Sequence, residues 1–129
     1  VDNGATHVHV CDTVGHATPD GTRRVIKHIR SIVGPEIGIT WHGHNDRGLA
    51  LANALTAIEA GANVADGTAL GIGERLGNTP IGLLLLNLKL LGWFDHDLTA
   101  LDGLCHLVSE VTHITIPPNY PAIGCDAFR

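Results

Sequence analysis

A strand, a loop and a helix recur three times in the first two-thirds of the chain, and this order limits the fold more than any other feature. Strands are predicted at residues 6–11, 37–42 and 63–68, and each is followed by a loop and a helix. Strands that alternate with helices of this length form a parallel sheet with right-handed crossovers. The sequence therefore predicts an α/β fold, either a doubly wound sheet or a β/α barrel, with functional loops at the carboxyl ends of the strands.

The ends of the predicted helices are marked by capping and breaking residues. Thr18 and Thr79 each precede a proline, and a threonine can cap a helix whose first turn holds that proline. Gly34 and Gly61 end the first two helices. The third helix, up to residue 91, is apolar on nearly all sides, so a segment outside the repeat should cover it. After residue 92 we predict one more amphipathic helix and an irregular, proline-rich tail.

Composition excludes several classes of partner. The 129 residues carry a formal net charge of -5, which gives no bulk attraction to a nucleic-acid backbone. Apolar stretches stay far below the ~18 residues of a membrane-spanning helix, and no signal-peptide pattern is present, so we expect no membrane partner. Three widely spaced cysteines indicate a reducing, cytoplasmic setting. A chain without methionine is expected to be a processed product or a piece of something longer.

Two histidines lie where the second predicted strand ends. His42 and His44 are two residues apart, so their side chains should point to the same face of the strand. Two neighbouring imidazoles make half of a metal site, although a hydrogen-bonded histidine pair at a strand end is the simpler interpretation. His7 and His9 repeat the spacing, but they lie early in their strand, away from the predicted functional end.

The loops after the second and third strands carry further polar residues. Asn45 and Asp46 are placed to cap the following helix, a role compatible with orienting a ligand histidine. The glycine-rich segment 71–77 is not a dinucleotide loop, because its third glycine comes one residue late, and it has no Walker lysine. Glu74 and Arg75 are expected to form a local ion pair that shapes this segment.

Three motifs taken together carry a resemblance to a known family. They are D-T-V-G at 12–15 with T-P at 18–19, H-G-H-N-D-R-G-L-A at 42–50, and G-I-G-E-R-L-G-N at 71–78. In this order they closely resemble the 2-isopropylmalate synthase and homocitrate synthase family, in which they belong to the last three strands of a (β/α)8 barrel. The resemblance implies a partial TIM-type barrel, its last three βα units, over residues 1–92. A linker helix and the start of a post-barrel subdomain would occupy residues 93–129, and the tail up to Phe128 is similar to the family's linker.

The resemblance also assigns roles to individual residues. His42 and His44 would be metal ligands, Asn78 a weaker or adjacent ligand, and Thr13 a contact to the carboxylate of a 2-oxo acid. The supporting residues of the loops would be Asp12, Asn45, Asp46, Glu74 and Arg75. The remaining aspartate ligand and the catalytic residues are expected outside this chain. Arg47 stands where the family more often has an apolar residue, which indicates altered loop contacts.

The implied chemistry is a Claisen-type condensation of acetyl-CoA with a 2-oxo acid, as in leucine and related amino-acid biosynthesis. Imidazole and oxygen ligands without a thiolate suit magnesium, manganese or zinc. The full-length protein is expected to be a homodimer and this segment alone to be inactive. Homocitrate or citramalate synthase is the alternative within the family. Lyases that cleave an acyl-CoA share the H-x-H site but carry a cysteine in the glycine-rich loop, and residues 71–77 have none.

A second hypothesis belongs to a different class of protein. The apolar stretch at 83–91 and a three-stranded sheet with open edges would also suit a partial barrel that survives by forming oligomers. Such a protein would act as a binding or structural module without catalysis.

Overall fold

Three parallel strands in the order β1, β2, β3 form the centre of the structure, a computed structural model that describes residues 3–127. Residues 1–2 and 128–129, and with them Phe128 of the predicted linker, lie outside the described part. The strands are β1 (His7–Asp12), β2 (Gly38–Gly43) and β3 (Val64–Ala65), and the helices are α1 (Pro19–Val33), α2 (Ala50–Glu59), α3 (Ile81–Leu90) and α4 (Ala100–Thr112). The predicted alternation of strands and helices is confirmed.

The register of the sheet places the ends of β1 and β2 at the same level. His7 lies beside Gly38 at one end, and Asp12 lies beside Gly43 at the other. In β1 the even-numbered residues Val8 and Val10 pack against the core, whereas the odd-numbered positions are exposed. The loops that leave the two strands therefore start side by side.

The hydrophobic core lies between the sheet and the helices that follow its strands. Ile26 of α1 and Ile39 of β2 are completely buried, and each contributes roughly 1.5–3 kcal/mol by burial. The alanines Ala54 and Ala57 of α2 are also fully buried, and their small side chains let this helix approach its neighbours closely. The core also includes Trp41, Ala60, Ala62, Leu84 and Leu88.

The two threonine–proline pairs have different roles. Thr18 caps α1 as predicted, because its Oγ1 accepts a hydrogen bond of 3.2 Å from the N–H of Gly21. Thr79 is completely buried, and its Oγ1 instead donates to the carbonyl of Ala50 at 3.4 Å. The capping role predicted for Thr79 is therefore wrong. Its backbone carbonyl pairs with the N–H of Thr68, and this pairing holds the residue in an extended segment ahead of α3.

Two element boundaries differ from the sequence-based prediction. Helix α2 begins at Ala50 rather than at residue 47, because residues 45–48 form a turn in which Gly48 has a φ of +69°. Strand β3 contains two residues instead of six. Beyond it the chain leaves the sheet at Gly67, where the carbonyl of Thr79 lies too close for any side chain, 2.9 Å from the position of an added Cβ.

Helix α3 is covered on part of its surface by the segment that follows the repeat, as predicted. Leu84 and Leu88 face the core, while Cys105 of α4 is buried near Gly82. A cavity of about 230 Å³ remains between α3, α4 and residues 120–123. Leu90, at the end of α3, stays 77% exposed. From residue 114 to 127 the chain is irregular, in agreement with the predicted tail, and no helix within residues 3–127 is long and apolar enough to cross a membrane.

One arginine joins the ends of the elements at the amino-terminal edge of the sheet. Arg30 Nη1 donates to the carbonyls of Gly34 and Ile37 at 2.8 and 2.6 Å. Its Nη2 donates to the carbonyl of Gly61 at 2.9 Å and to Oδ1 of Asn63 at 2.7 Å. The guanidinium thereby connects the end of α1 with the start of β2 and with the turn between α2 and β3.

We predict that Arg30→Lys lowers the free energy of unfolding by about 2 kcal/mol, because a lysine cannot reach four acceptors and part-buried carbonyls lose their donors. Urea denaturation of the native polypeptide that contains these 129 residues measures the change. Arg24→Lys is the matched control, since Arg24 forms an exposed pair with Asp20 and should cost less than about 0.5 kcal/mol. Equal losses in the two variants would contradict the prediction.

Candidate functional site

Three loops meet at the carboxyl ends of the strands, where sequence analysis places the function. They follow β1 (residues 13–18), β2 (residues 44–49) and β3 (residues 66–80), and backbone hydrogen bonds connect them. The N–H of His44 donates to the carbonyl of Asp12 at 3.3 Å, and the N–H of Asn45 donates to the carbonyl of Gly77 at 2.9 Å. All the residues selected from the sequence as site residues lie in or beside these loops.

The two histidines at the end of β2 face each other. The Nε2 atoms of His42 and His44 are 3.4 Å apart, and their rings are perpendicular with centroids separated by 5.1 Å. Two nitrogens at about 2.1 Å from one tetrahedral zinc ion would be separated by a similar distance. The separation is also at the long end of a hydrogen bond between two imidazoles, so both interpretations made from the sequence fit this geometry.

A carboxylate that the sequence analysis did not select lies beside the first histidine. Asp66 Oδ2 is 3.6 Å from His42 Nδ1, the ring nitrogen that points away from His44. A carboxylate on this side favours a proton on Nδ1 and leaves Nε2 free to accept a cation. The signal was present in the sequence, since Asp66 directly follows β3, as Asp12 ends β1.

Asn78 pairs with the backbone of His44 and has a side-chain oxygen that the described residues leave unused. Its backbone forms an isolated antiparallel bridge with His44, and its Nδ2 donates to the carbonyl of Ile72 at 3.2 Å. Its buried Oδ1 has no hydrogen-bond partner within residues 3–127, and the same holds for Nδ1 of His44. An added Cβ at Gly73 would overlap Nδ2 of Asn78, so only glycine leaves room for this amide. A buried acceptor without a partner is rare in proteins and fits a site that receives a cation or a donor.

The donor set that this part of the chain supplies is small. Across residues 3–127, no group of three histidine, cysteine, aspartate or glutamate side chains is arranged to hold a metal ion. The candidate ligands are therefore the two imidazoles and the amide oxygen of Asn78. Two nitrogens and one oxygen without a thiolate fit magnesium, manganese or zinc, with the remaining positions open to other oxygen ligands.

Asp12 determines the shape of the loop after β1. Its Oδ1 accepts a hydrogen bond from the N–H of His16 at 2.9 Å, and its Oδ2 accepts one from Ala17 at 3.0 Å. Its backbone carbonyl accepts from Gly15 at 3.1 Å. Both carboxylate oxygens are thus used within the loop, which presents Thr13 at its exposed tip.

Arg75 of the glycine-rich loop binds the other two loops. Its Nε and Nη2 donate to the two carboxylate oxygens of Asp46 at 2.8 and 3.1 Å, and Nη2 also donates to the carbonyl of Thr13 at 2.6 Å. Hydrogen bonding to the guanidinium holds the pKa of Asp46 below its ordinary value, and the same bonds raise the pKa of Arg75. Glu74, the partner expected from the sequence, lies within ion-pair distance at 3.8 Å, but it is 82% exposed and makes the weaker contact.

The residues around Asp46 have separate roles. Asn45 supports the start of α2 as predicted, because its Oδ1 accepts from the N–H of Ala50 at 3.1 Å. The capping role predicted for Asp46 is wrong, since its carboxylate turns towards Arg75 instead. Arg47 does make an additional loop contact, because its Nη1 donates to the carbonyl of His16 at 2.9 Å.

A parallel β/α sheet with a histidine pair and glycine-rich loop at its carboxyl edge defines a segment of a β/α-barrel protein. The HMGL-like family model matches residues 1–110, and the chain belongs to this HMGL-like family. The resemblance drawn from the three motifs is thereby confirmed.

Curated relatives carry the two names expected from the motifs. Homocitrate synthase AksA of Methanopyrus kandleri is 41% identical over 128 residues, which are 98% of this chain and 32% of the relative. The 2-isopropylmalate synthase of Pyrococcus abyssi is 39% identical over 137 residues, which are 99% of this chain and 28% of the relative. The chain spans about a third or less of the length of these relatives.

Solved structures of two HMG-CoA lyases superpose on the chain. An HMG-CoA lyase from Acinetobacter baumannii, in complex with coenzyme A and 3-methylmalate, has a TM-score of 0.79 at 29% identity and covers 96% of this chain and 41% of its own. The HMG-CoA lyase from Bacillus subtilis has a TM-score of 0.77 at 26% identity, and the match covers 90% of this chain and 41% of the lyase chain. The prediction of a partial TIM-type barrel is confirmed.

We predict that Gly15→Ala disturbs the contact between the first two loops. Gly15 has a φ of +59°, and an added Cβ would lie 2.6 Å from Oδ2 and 2.7 Å from the backbone nitrogen of Asp46. The expected loss in the free energy of unfolding is about 1–3 kcal/mol, measured by urea denaturation. Gly103→Ala is the control, because that glycine lies in α4 with open space around it, and alanine should stabilise the helix there. A Gly15→Ala variant as stable as the unmodified protein would refute the prediction.

Proposed function

We propose that the chain forms the metal-binding part of an acyltransferase that condenses acetyl-CoA with a 2-oxo acid, as a 2-isopropylmalate synthase does. The observation that carries this proposal is the close pair of His42 and His44 at the carboxyl edge of the sheet, with Asn78, whose Oδ1 has no partner in the described part of the chain, bridged to His44 through the backbone. Membership of the HMGL-like family and the names of the curated relatives support the reaction class. The lyase with bound coenzyme A supports an acyl-CoA as one ligand.

In this proposal three side chains of the chain would hold a divalent cation, which is magnesium, manganese or zinc. They are the imidazoles of His42 and His44 and the amide of Asn78. When bound, such a cation supplies Lewis acidity that polarises the ketone of the 2-oxo acid. Asp66 would hold the proton on Nδ1 of His42, so that the lone pair of Nε2 stays available to coordinate the cation.

Thr13 is the proposed contact for the carboxylate of the 2-oxo acid. The residue lies exposed at the tip of the loop after β1, and its backbone is fixed by Arg75. Its hydroxyl can donate a hydrogen bond to a carboxylate oxygen without adding a charge to the site. We propose that the group that removes a proton from the acetyl methyl lies outside this chain, as do further ligands of the cation.

The substrate alternatives remain within the same reaction class. Homocitrate or citramalate synthase activity would use the same histidine pair and acetyl-CoA with a different 2-oxo acid, and relatives named homocitrate synthase are 41% and 42% identical to this chain. An acyl-CoA lyase is disfavoured, because the glycine-rich segment at 71–77 has no cysteine.

The exposed apolar residues of the last two helices favour the second hypothesis, a non-catalytic oligomeric module. Leu90, Leu107 and Val111 are between 57% and 77% exposed. An apolar surface of this kind is typical of an interface. It does not explain why an amide oxygen and an imidazole nitrogen are buried without partners beside the histidine pair, so we favour the acyltransferase.

We predict that His42→Ala and His44→Ala each reduce the affinity for manganese or zinc at least about 100-fold, because each substitution removes a ligand. Isothermal titration calorimetry on the native polypeptide that contains these residues measures the affinity. His9→Ala is the matched control, since this histidine is exposed on the neighbouring strand β1. It pairs with Thr40, which lies two residues before His42 on β2. Unchanged affinity in both site variants would refute the proposed metal site.

We predict a smaller effect for Asp66→Asn, a loss of about 10–100-fold in metal affinity, because the carboxylate orients His42 without binding the cation. Asp20→Asn, at an exposed position of α1, should leave the affinity unchanged. The circular dichroism spectrum should be the same for all variants. Wild-type affinity in Asp66→Asn, together with a large loss in His42→Ala, would show that Asp66 does not orient the histidine.

A further inference from the structure

A single guanidinium connects all three loops of the candidate site. We propose that Arg75 is a positioning residue, which sets the place of Thr13 relative to the histidine pair and so determines how tightly the 2-oxo acid is held. The inference rests on the proposed function, because it assumes that Thr13 contacts the substrate carboxylate. Arg75 itself acts through the other loops and does not touch the substrate.

The geometry of the guanidinium joins residues that are far apart in sequence. Asp46 precedes Arg75 by 29 residues and receives two hydrogen bonds, at 2.8 and 3.1 Å, whereas Thr13 precedes it by 62 residues and receives one, at 2.6 Å. A planar fork can reach a carboxylate and a carbonyl at the same time. The ammonium group of a lysine lacks this geometry and would keep the charge without the double contact.

The loop after β1 depends on these external contacts at its tip. Asp12 ties the base of the loop, because its side chain accepts from the N–H groups of His16 and Ala17 and its carbonyl accepts from the N–H of Gly15. The tip instead meets Asp46, whose side chain and backbone lie against Gly15, and it meets Arg75. A shift of either partner would therefore move Thr13.

The same contacts connect Thr13 to the proposed metal ligands. Asp46 lies two residues after His44, in the turn in which the N–H of Asn45 donates to the carbonyl of Gly77 in the glycine-rich loop. Arg75 lies three residues before Asn78 in that glycine-rich loop. The Arg75 guanidinium thus connects Thr13 to the segments that carry His44 and Asn78, while the spacing of those two residues is set by their own backbone bridge.

Two of the three nitrogens of Arg75 are already hydrogen-bonded within the protein, which disfavours a direct role in substrate binding. Nε and Nη2 are used by Asp46 and Thr13, and the lowered pKa of Asp46 keeps the carboxylate ionised beside the guanidinium. An arginine already paired with a carboxylate is a weak receptor for a second one. The arrangement therefore indicates a structural connection between loops and not a carboxylate-binding site.

The test compares Arg75→Lys with Arg24→Lys, which removes an arginine from an exposed pair on α1. Both are made in the native polypeptide that contains these residues. In Arg75→Lys we expect kcat/KM for the 2-oxo acid to fall about 10–100-fold, mainly through KM. KM for acetyl-CoA and the affinity for manganese should change less than about twofold, because neither contact involves Thr13. Amide hydrogen exchange at residues 13–16 should accelerate, while Arg24→Lys should match the unmodified protein in every measurement.

A second variant keeps the proposal testable if Arg75→Lys folds poorly. Asp46→Asn retains the shape of the side chain but removes its charge, and it should raise KM for the 2-oxo acid in the same direction. In the double variant the two effects should not add, because both residues act through one contact.

The possible outcomes separate this inference from the proposed function. Wild-type KM and wild-type exchange at residues 13–16 in both variants would overturn the positioning role. If the unmodified protein binds manganese but condenses no 2-oxo acid, the proposed function is overturned. The exchange rates at residues 13–16 then decide alone whether Arg75 holds the backbone of Thr13, and unchanged rates would overturn that as well.

Discussion

The in-register pairing of two parallel strands is the constraint on which the rest of the structure depends. Because Cys11 lies beside His42 and Asp12 beside Gly43, β1 and β2 end at the same level. The pairing extends one step further, since the N–H of His44 donates to the carbonyl of Asp12. Two loops that begin 31 residues apart in sequence, at residues 13 and 44, therefore start at a common point. A shift of the register by one residue would turn His42 to the opposite face of the sheet and separate it from Asp66.

Local patterns predicted most of the fold because its elements follow simple rules. The repeat of strand, loop and helix, the cap at Thr18 and the ends at Gly34 and Gly61 depend on residues close in sequence, and the structure contains each of them. Thr79 shows where a local rule fails. It has the same threonine–proline sequence as Thr18, but pairing with the segment after β3 and burial against α2 determine its conformation.

The candidate site was predictable in its residues but not in its connections. The H-x-H spacing and the strand ends located His42 and His44, because side-chain alternation along a strand is a local property. The pairing of Arg75 with Asp46 could not be predicted, since the nearer acid in sequence, Glu74, is solvated and the one with the better geometry comes from another loop. Asp66 could have been selected by its position directly after β3, but its closeness to His42 arises only when β3 pairs with β2.

Charge gives a physical reason for an arginine at this site that pairs with a carboxylate of the protein itself. Without Arg75, the Asp46 carboxylate would lie near the tip of the loop after β1, close to where the proposed substrate carboxylate would bind, and two like charges would oppose each other. Pairing within the protein neutralises this carboxylate while the guanidinium also holds the carbonyl of Thr13. The cation would then be the main positive charge that the substrate meets, and the hydroxyl of Thr13 would add direction without charge. The pair of Arg75 with Asp46 would thus remove the repulsion between the Asp46 and substrate carboxylates, and it would hold Thr13 in place. Both effects favour the same orientation of a 2-oxo acid.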